Sequence, residues 1–280
     1  MKTLFISDLD GTLMRSDGII SDFTKDTINR LVAQGVDFTL ATARSISSAK
    51  DILKGLNLRL PAVMMNGVFL TDTATQRAVC YEKLDPTVAA HALQIFESCD
   101  RPPNIFFYDG VNIDVEFLRF AGEYDETFYQ ARRHKYHRFE QVDAFSTDKG
   151  IIYFNVVDRR EIVEPVYEKL RAVEGLGCVM YRDTYTNYYF LEAFPASASK
   201  AAGLRRLKEL YGFEYTVAFG DNLNDVDLLK EADTGVAVQN ANDALKSVAD
   251  LVIADNDSDG VARCLLEFTK QSTFPPNGKR

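Results

Sequence analysis

Residues 5–14 read FISDLDGTLM, in which an apolar run is followed by Asp8, Asp10 and a Gly-Thr pair. Residues 3–6 predict a buried strand, so both acids follow its C-terminal end. Alternate residues of an extended chain project to one side, and the two carboxylates can therefore face one ligand. Two carboxylates about 4 Å apart, at an effective dielectric constant near 20, repel by roughly 4 kcal/mol, or about 3 pKa units. Such a pair needs a cation or a bound proton. Taken by itself, however, an Asp-x-Asp motif could also belong to a capped turn on the surface.

Strand-like and helix-like segments alternate on both sides of a central region. Residues 13–20 predict a hairpin-like flap. The predicted helices are one capped by Ser21 or Asp22 and stopped by Gly35, one from Ser45 to near Gly55, and one over residues 199–211. The other predicted strands are residues 36–41, 62–65, 216–219, 235–238 and 251–253. The alternation predicts an α/β fold with a doubly wound, Rossmann-like parallel sheet.

The central region does not show this regular alternation of strands and helices, and it is richer in Tyr and Phe. Its strand-like runs include IFFYDGVNIDVEF, GIIYFNVV and YTNYYFLEAF, and helical stretches are predicted over residues 86–98 and 160–173. This change predicts a separate α+β domain inserted into the first. The expected organisation is a core of residues 1–80 and 192–280 with an inserted domain of residues 81–191.

The composition limits the classes of function. Hydrophobic residues make up 46% of the 280 residues and charged residues 26%, as in ordinary globular proteins. The net charge of −9 argues against a general binder of nucleic acids or anionic membranes. An anionic small molecule remains a possible partner, because a bound metal can reverse the local field. The expected partner is therefore a small molecule, with the protein a monomer or a small homo-oligomer.

The cysteines and the apolar segments indicate a compartment. Cys80, Cys99, Cys178 and Cys264 lie far apart and form no CxxC pair, which argues against a disulfide framework or a zinc cluster. The apolar run before Asp8 is too short for a signal peptide, and no window approaches the roughly 18–20 apolar residues of a membrane span. These features predict a cytoplasmic protein.

A second acidic motif follows another predicted strand. Residues 220–225 read GDNLND and add Asp221 and Asp225. If the two strands are neighbours, these carboxylates converge with Asp8 and Asp10 at one sheet edge. Oxygen-only ligands favour a hard cation, and Mg²⁺ typically binds a few carboxylates together with a phosphate.

Two further features fit a phosphate group. Thr42 and Ser45 stand where a predicted strand passes into a helix, which offers a hydroxyl and free backbone N–H groups to an anion. The alternative is that these residues only cap the helix. Lys200 opens the helix before the second acidic strand, and it would neutralise both phosphate and carboxylates there.

Together these motifs resemble the haloacid dehalogenase superfamily. Its four ordered motifs are matched by residues 8–12 (DLDGT), residues 42–44 (TAR), Lys200 and residues 220–225 (GDNLND). An insertion between the second and third motifs is similar to that of the Cof-type phosphatases. Residues 65–67 (MNG), 235–241 (GVAVQNA) and 256–261 (NDSDGV) also resemble that subfamily.

The resemblance implies a reaction for the aspartate pair. Asp8 would be the nucleophile, attacking phosphorus to form an aspartyl phosphate. Asp10 would be the general acid for the leaving alkoxide and then the base for the hydrolytic water.

The resemblance also implies ligands for Mg²⁺ and for phosphate. The Asp8 side chain, the Asp10 backbone carbonyl and Asp221 would hold Mg²⁺, and Asp225 would orient metal-bound water or Lys200. The groups expected on the phosphoryl oxygens are Thr42, the Ala43 N–H, Lys200 and Asn224. Two positions depart from the usual pattern, because Ala43 and Ala201 stand where the family commonly has glycine.

In this family the inserted cap selects the leaving group. The possible substrate contacts are Arg44, Asn66, Gly67, Arg182, Tyr185, Tyr188 and Glu192. The predicted function is a Mg²⁺-dependent phosphatase for a small phosphorylated metabolite, first of all a sugar phosphate, with pyridoxal phosphate and flavin mononucleotide as further candidates. The alternatives are a phosphomutase or phosphotransferase of the same fold, which would transfer phosphate to a sugar hydroxyl, and a non-catalytic binding protein, which loss of Asp8 or Asp10 would favour.

Overall fold

The computed structural model describes residues 1–120, 122–145, 149–183 and 186–270. The chain forms two compact units, one of Met1–Val79 with the chain from Ser199 onward, and the other of Cys80–Ala198. The second unit ends at Ala198 because a strand, Tyr189–Pro195, runs through the boundary expected after residue 191. No helix among the described residues is both long and apolar enough to cross a membrane.

The helices and strands have the following bounds. The N-terminal elements are β1 (Thr3–Ser7), α1 (Asp22–Ala33), β2 (Asp37–Leu40), α2 (Ile46–Ala49), β3 (Ala62–Met64), β4 (Phe69–Asp72) and β5 (Arg77–Tyr81). The central elements are α3 (Pro86–Ser98), β6 (Asn104–Tyr108), β7 (Ile113–Phe117), α4 (Glu123–Gln130), β8 (Arg138–Gln141), β9 (Ile151–Asp158), α5 (Arg160–Leu170), β10 (Leu176–Arg182) and β11 (Tyr189–Pro195). The C-terminal elements are α6 (Lys200–Tyr211), β12 (Tyr215–Gly220), α7 (Val226–Glu231), β13 (Thr234–Val238), α8 (Asp243–Lys246), β14 (Leu251–Ile253) and α9 (Gly260–Lys270).

The first unit is built on a five-stranded parallel sheet in the order β14-β13-β12-β1-β2. Strand β1 lies in the interior, where Phe5 is paired in register with Val217 on one side and Phe38 on the other. Strands β1, β12 and β13 are buried along nearly their whole length, as expected when helices cover both faces. The predicted parallel α/β core is confirmed.

The order of the strands creates a crevice beside β1. The chain leaves β1 toward β2 and leaves β12 in the opposite direction, toward β13. Because such crossovers are right-handed, helices α1 and α7 cover opposite faces of the sheet. Ligands bind at the carboxyl ends of strands where the order reverses in this way, and the two acidic motifs follow β1 and β12.

Helix α1 shows how the sequence specifies one of these layers. Ser21 is its N-cap, and its side chain accepts a hydrogen bond from the Thr24 N–H, which settles the choice between Ser21 and Asp22. Ile28, Leu31 and Val32 are buried on one face, the spacing of an amphipathic helix. The helix packs beside α9, and the sheet residue Phe5 meets Phe268 of α9 edge to face, with ring centroids 5.9 Å apart.

The second unit is an α+β arrangement. Its sheet has the order β10-β11-β9-β6-β7-β8, with antiparallel pairs except for β7 and β8, which are parallel. Side chains of α3 and α5, such as Phe96 and Val163, join Phe154 of the sheet in one apolar cluster. The predicted helices match α3 and α5, but the sequence did not predict α4, whose residues EYDETFYQ mix acids with aromatic rings.

One local prediction differs from the structure, and another is confirmed. Helix α2 ends at Ala49 rather than near Gly55. The chain continues in turns, such as the one in which the Leu56 N–H donates to the Leu53 carbonyl at 2.9 Å. The hairpin-like flap predicted over residues 13–20 is present as a tight loop. The Gly18 N–H donates to the Arg15 carbonyl and the Arg15 N–H donates to the Ile19 carbonyl, both at 3.0 Å. Gly18 has a φ of 80°, as expected for the glycine that ends a three-residue hairpin loop.

The loop after β3 supports the start of α6. Met65, Asn66 and Gly67 all have positive φ, at 48°, 51° and 92°. A Cβ at Gly67 would lie 2.1 Å from the Ser199 carbonyl oxygen, so only glycine lets the loop contact this backbone. Gly67 therefore sets the position of Ser199, the N-cap residue directly before Lys200.

Gly67→Ala should destabilise the first unit by roughly 3 kcal/mol or more, because a methyl group there collides with backbone that cannot move aside. Gly212→Ala is the matched control. Gly212 also has positive φ, but no atom lies within 4 Å of the added Cβ, so only the conformational cost of about 1–2 kcal/mol applies. Urea denaturation of both variants measures the difference, and equal losses would contradict the close approach.

Candidate active site

Three loops meet at the carboxyl edge of the parallel sheet. Asp8 directly follows β1, and its N–H donates to the Phe219 carbonyl of the neighbouring strand at 2.9 Å. Asp221 directly follows β12, and Thr42 comes two residues after β2. The pairing of β1 with both neighbours therefore brings the three motifs together.

Three buried carboxylates form the centre of this site. Asp8, Asp221 and Asp225 each offer an oxygen atom, and these atoms all lie within 4.8 Å of one another. All three side chains are buried. Of the four aspartates predicted to converge, the structure places these three in one group and turns the side chain of Asp10 elsewhere.

Lys200 provides a cation inside this group. Its Nζ donates to Asp8 Oδ1 at 2.5 Å and to Asp225 Oδ1 at 2.6 Å. The lysine is the first residue of α6 and only 2% exposed, so its ammonium group is held away from water. The second oxygen of Asp225 accepts the N–H groups of Asp221 and Asn222, both at 3.1 Å. Asp225 thus fixes Lys200 and the neighbouring loop at once.

Burial and the neighbouring charges shift the pKa values of the ionisable groups in this site. Burial, and next the charge of Asp225, raise the pKa of Asp8 to about 7. Burial, followed by the charge of Asp8, raises the pKa of Asp221 well above its ordinary value. Burial alone would lower the pKa of Lys200, but the charges of Asp225 and Asp8 outweigh it and raise that pKa. A further cation would relieve this repulsion, and the oxygen-only donor set suits a hard divalent ion such as Mg²⁺.

Asp10 is held by an arginine from the adjacent loop. Arg44 Nε donates to Asp10 Oδ2 and Nη2 donates to Oδ1, both at 2.6 Å. This two-point geometry fixes the plane of the carboxylate. From its position in the sequence, Arg44 is predicted only as a substrate contact. Strand order places Arg44 after β2 and Asp10 after the adjacent β1, but it does not specify which side chain the arginine will meet.

The loop after β1 touches Asp221 at two points. Thr12 Oγ1 donates to Asp221 Oδ1 at 3.0 Å. Gly11 has a φ of 73°, and a Cβ at this position would lie 2.4 Å from Asp221 Oδ2. The DLDGT motif therefore contributes two further residues that shape the site, to which the sequence analysis gave no role.

The predicted phosphate-binding groups lie around the same edge. Thr42 is buried, and its hydroxyl oxygen accepts the Arg44 N–H at 3.1 Å. Ala43, which replaces the usual glycine, is not among the described residues with positive φ, so its methyl group causes no backbone strain. Asn224 is half-buried in the 3₁₀ helix Leu223–Asp225.

Asn66 and Gly67 belong to a loop that supports the residues of the site. The Asn66 N–H donates to the Thr42 carbonyl at 3.1 Å, and the Met65 N–H donates to the Arg44 carbonyl at 3.0 Å. These contacts hold the loop of residues 42–44, and Gly67 contacts the start of α6 as described above.

The predicted contacts from the second unit have partners within that unit. Arg182 is exposed, and its guanidinium bonds the Asn187 side chain and the Thr186 carbonyl. Tyr188 stacks on Tyr124 with ring centroids 3.8 Å apart. Glu192 is buried and accepts a hydrogen bond from Asn155 Nδ2 at 3.2 Å. Tyr185 lies outside the described residues.

Comparison with known proteins matches the chain to the haloacid dehalogenase-like hydrolases over residues 5–265. It is 28% identical over 283 residues to the 5-amino-6-(5-phospho-D-ribitylamino)uracil phosphatase YitU of Bacillus subtilis, covering 95% of this chain and 97% of YitU. It is 23% identical over 265 residues to the pyridoxal phosphate phosphatase YbhA of Escherichia coli, covering 91% of this chain and 94% of YbhA. The solved structure of the sugar phosphatase BT4131 has a TM-score of 0.73 at 23% identity, covering 96% of this chain and 99% of that one.

These similarities extend over nearly the whole chain rather than over one motif. They confirm the predicted fold and the prediction of an enzyme of the phosphatase class. The chain belongs to the haloacid dehalogenase-like hydrolase family, among its Cof-type phosphatases.

Proposed function

We propose that the protein is a Mg²⁺-dependent phosphatase that hydrolyses a small phosphorylated metabolite through an aspartyl phosphate on Asp8. One observation carries the proposal. Asp8 lies buried at the carboxyl edge of the sheet, 2.5 Å from Lys200 and within a group of three carboxylates. A nucleophile, a fixed cation and a set of oxygen donors are thereby collected at one point, as phosphoryl transfer requires.

The proposed substrate class is a phosphate ester of a sugar or sugar alcohol. The name of YitU describes a substrate with a phosphorylated ribityl chain, and BT4131 is named a sugar phosphatase. YbhA is named for pyridoxal phosphate, which keeps a phosphorylated heteroaromatic compound as the second class. A proposed cytoplasmic location agrees with the four free cysteines, Cys80, Cys99, Cys178 and Cys264.

In the first step a carboxylate oxygen of Asp8 attacks phosphorus, and the bond between phosphorus and the ester oxygen breaks. The leaving alkoxide takes a proton from Asp10. The hydrogen bond from Lys200 orients Asp8, because the lysine is itself fixed by Asp225. The product of this step is an acyl phosphate on Asp8 and a free alcohol.

Asp10 must exchange partners to act as the acid. Both of its oxygens accept hydrogen bonds from Arg44, so one of these bonds has to open before that oxygen can carry a proton. A phosphate oxygen is a competing acceptor for the guanidinium group. Substrate binding would in this way release Asp10 and give Arg44 a new partner.

In the second step a water molecule attacks the phosphorus of the aspartyl phosphate. Asp10 accepts the proton from this water, the acyl–phosphate bond breaks, and the Asp8 carboxylate is restored. Thr42, the Ala43 N–H, Lys200 and Asn224 are the proposed donors to the phosphoryl oxygens in both steps.

The residues that would hold Mg²⁺ are Asp8, Asp221 and the backbone carbonyl of Asp10. The fit rests on three carboxylates within 4.8 Å of one another. Burial, and then the charges of the neighbouring carboxylates, raise the pKa values of Asp8 and Asp221. When bound, the ion would supply positive charge to the phosphoryl oxygens and to the attacking carboxylate.

Asp8→Asn should abolish Mg²⁺-dependent phosphate release, because the amide is a far weaker nucleophile and cannot form the acyl phosphate. Asp17→Asn is the control, since Asp17 is an exposed carboxylate on the loop that follows the same motif. The measurement is release of inorganic phosphate from a panel of sugar, sugar-alcohol and pyridoxal phosphates, with Mg²⁺ and with chelator. Wild-type release that survives in Asp8→Asn would refute the proposed nucleophile, and transfer to a sugar hydroxyl in place of release would indicate a mutase.

The metal-free protein should lose stability as the pH rises from 5 to 8. Folded Asp8, with a pKa of about 7, still holds a proton that the unfolded chain, near 3.8, has released. Since ligands must lose their protons to bind Mg²⁺, the ion should raise Tm more at pH 8 than at pH 5.

Thermal denaturation with Mg²⁺ and with chelator at both pH values measures this effect. Asp8→Asn should show a weaker loss of stability with pH, because one of the titrating carboxylates is gone. A Mg²⁺-dependent rise in Tm of equal size at pH 5 and pH 8 would contradict the assignment of these carboxylates as ligands.

A further inference from the structure

Two asparagines bind the backbone of the loop that carries the DLDGT motif. Asn240 Nδ2 donates to the Gly11 carbonyl at 2.7 Å, and Asn256 Nδ2 donates to the Met14 carbonyl at 2.9 Å. The two asparagines are also joined to each other, because the Asn256 N–H donates to Asn240 Oδ1 at 3.1 Å. They belong to the GVAVQNA and NDSDGV segments, to which the mechanism above gives no role.

Asn240 and Asn256 both lie in the first unit, close to the site. Asn240 lies two residues after β13, on the same sheet edge as the acidic loops. Asn256 begins the 3₁₀ helix Asn256–Ser258 and is only 4% exposed. Asn256 restricts the loop because breaking its buried bond to the Met14 carbonyl would leave polar groups without partners. Asn240 is exposed and restricts the loop through its bonds to Gly11 and to Asn256.

The loop held in this way reaches the other acidic motif. Gly11 and Met14 stand at either end of it, and between them Thr12 donates to Asp221. The segment after β13 also holds that second motif directly, since the Asn242 N–H donates to the Asp221 carbonyl at 3.0 Å. The segment of residues 240–242 therefore bonds the loop that carries Asp8 and Asp10 and also the loop that carries Asp221.

We propose that Asn240 and Asn256 are positioning residues that fix the separation between the Asp8–Asp10 loop and Asp221, and so set the geometry of the cation site. Buried like charges push these loops apart. The side-chain amides of Asn240 and Asn256 hold the loops together without adding charge. A second lysine in their place would compete with the metal cation for the carboxylates. This inference rests on the proposed function, because it assigns the asparagines to the same site.

The chain contains a matched control for a purely structural role. Asn29 lies in α1 and makes the same pattern of bonds to a different loop. Its Nδ2 donates to the Gly55 carbonyl at 2.7 Å, and its Oδ1 accepts the Asn57 N–H at 2.8 Å. Asn29→Ala and Asn240→Ala therefore remove the same kind of clamp, one away from the carboxylates and one beside them. Both residues are partly or largely accessible to solvent, so both variants should fold.

The experiment compares wild type, Asn29→Ala and Asn240→Ala in two measurements. One is kcat and KM for phosphate release, and the other is the rise in Tm caused by Mg²⁺. In chelator both variants should lose similar stability, since each lacks one amide clamp. Asn240→Ala alone should lower kcat by about tenfold with little change in KM, as expected for reacting groups displaced by a fraction of an ångström. It alone should also show a Mg²⁺-dependent rise in Tm at most half that of wild type.

The inference is overturned if Asn240→Ala keeps the kcat and the Mg²⁺-dependent Tm rise of wild type, or if Asn29→Ala shows the same losses. Asn256→Ala should shift both readouts in the direction of Asn240→Ala. Failure of the proposed function is distinguishable, because wild type would then release no phosphate. The Tm measurement would still decide the inference, as it requires no turnover.

Discussion

The structure depends on the burial of three carboxylates beside a single ammonium group. Asp8, Asp221 and Asp225 crowd around one edge of the sheet, and Lys200 balances only part of their charge. Like charges at this spacing repel by several kcal/mol unless a cation or a proton intervenes. The fold must therefore hold the loops in place against this repulsion, and most of the contacts around the site can be understood as doing so.

The sequence predicted the parts of the site that follow from strand order. An acid pair after one buried strand and a second pair after another could be placed at one sheet edge, because parallel strands share their carboxyl ends. The pairs of Asp10 with Arg44 and of Thr12 with Asp221 could not be predicted in this way. They depend on loop backbone, including the positive φ of Gly11, and local patterns do not specify which side chain a loop will turn toward.

The second unit was harder to interpret for the same reason. Its strands and two of its helices follow from alternating and amphipathic patterns, but the boundary after residue 191 missed the end of β11. Tyr188 and Glu192 stay predicted substrate contacts. Within the unit, Tyr188 stacks on Tyr124 and Glu192 accepts a hydrogen bond from Asn155. Aromatic and polar residues alternate in these strands, so composition alone does not say which face is used for packing and which for binding.

The central claim is that phosphate passes through a covalent bond to Asp8, and trapping that bond tests it most directly. The enzyme would be mixed with a phosphorylated substrate and Mg²⁺, quenched in acid, and treated with borohydride, which reduces an acyl phosphate to an alcohol. The account predicts that mass spectrometry finds the reduced residue at Asp8 in wild type and finds none in a sample without substrate. Rapid turnover with the modification at another aspartate, or with none at any aspartate, would contradict it.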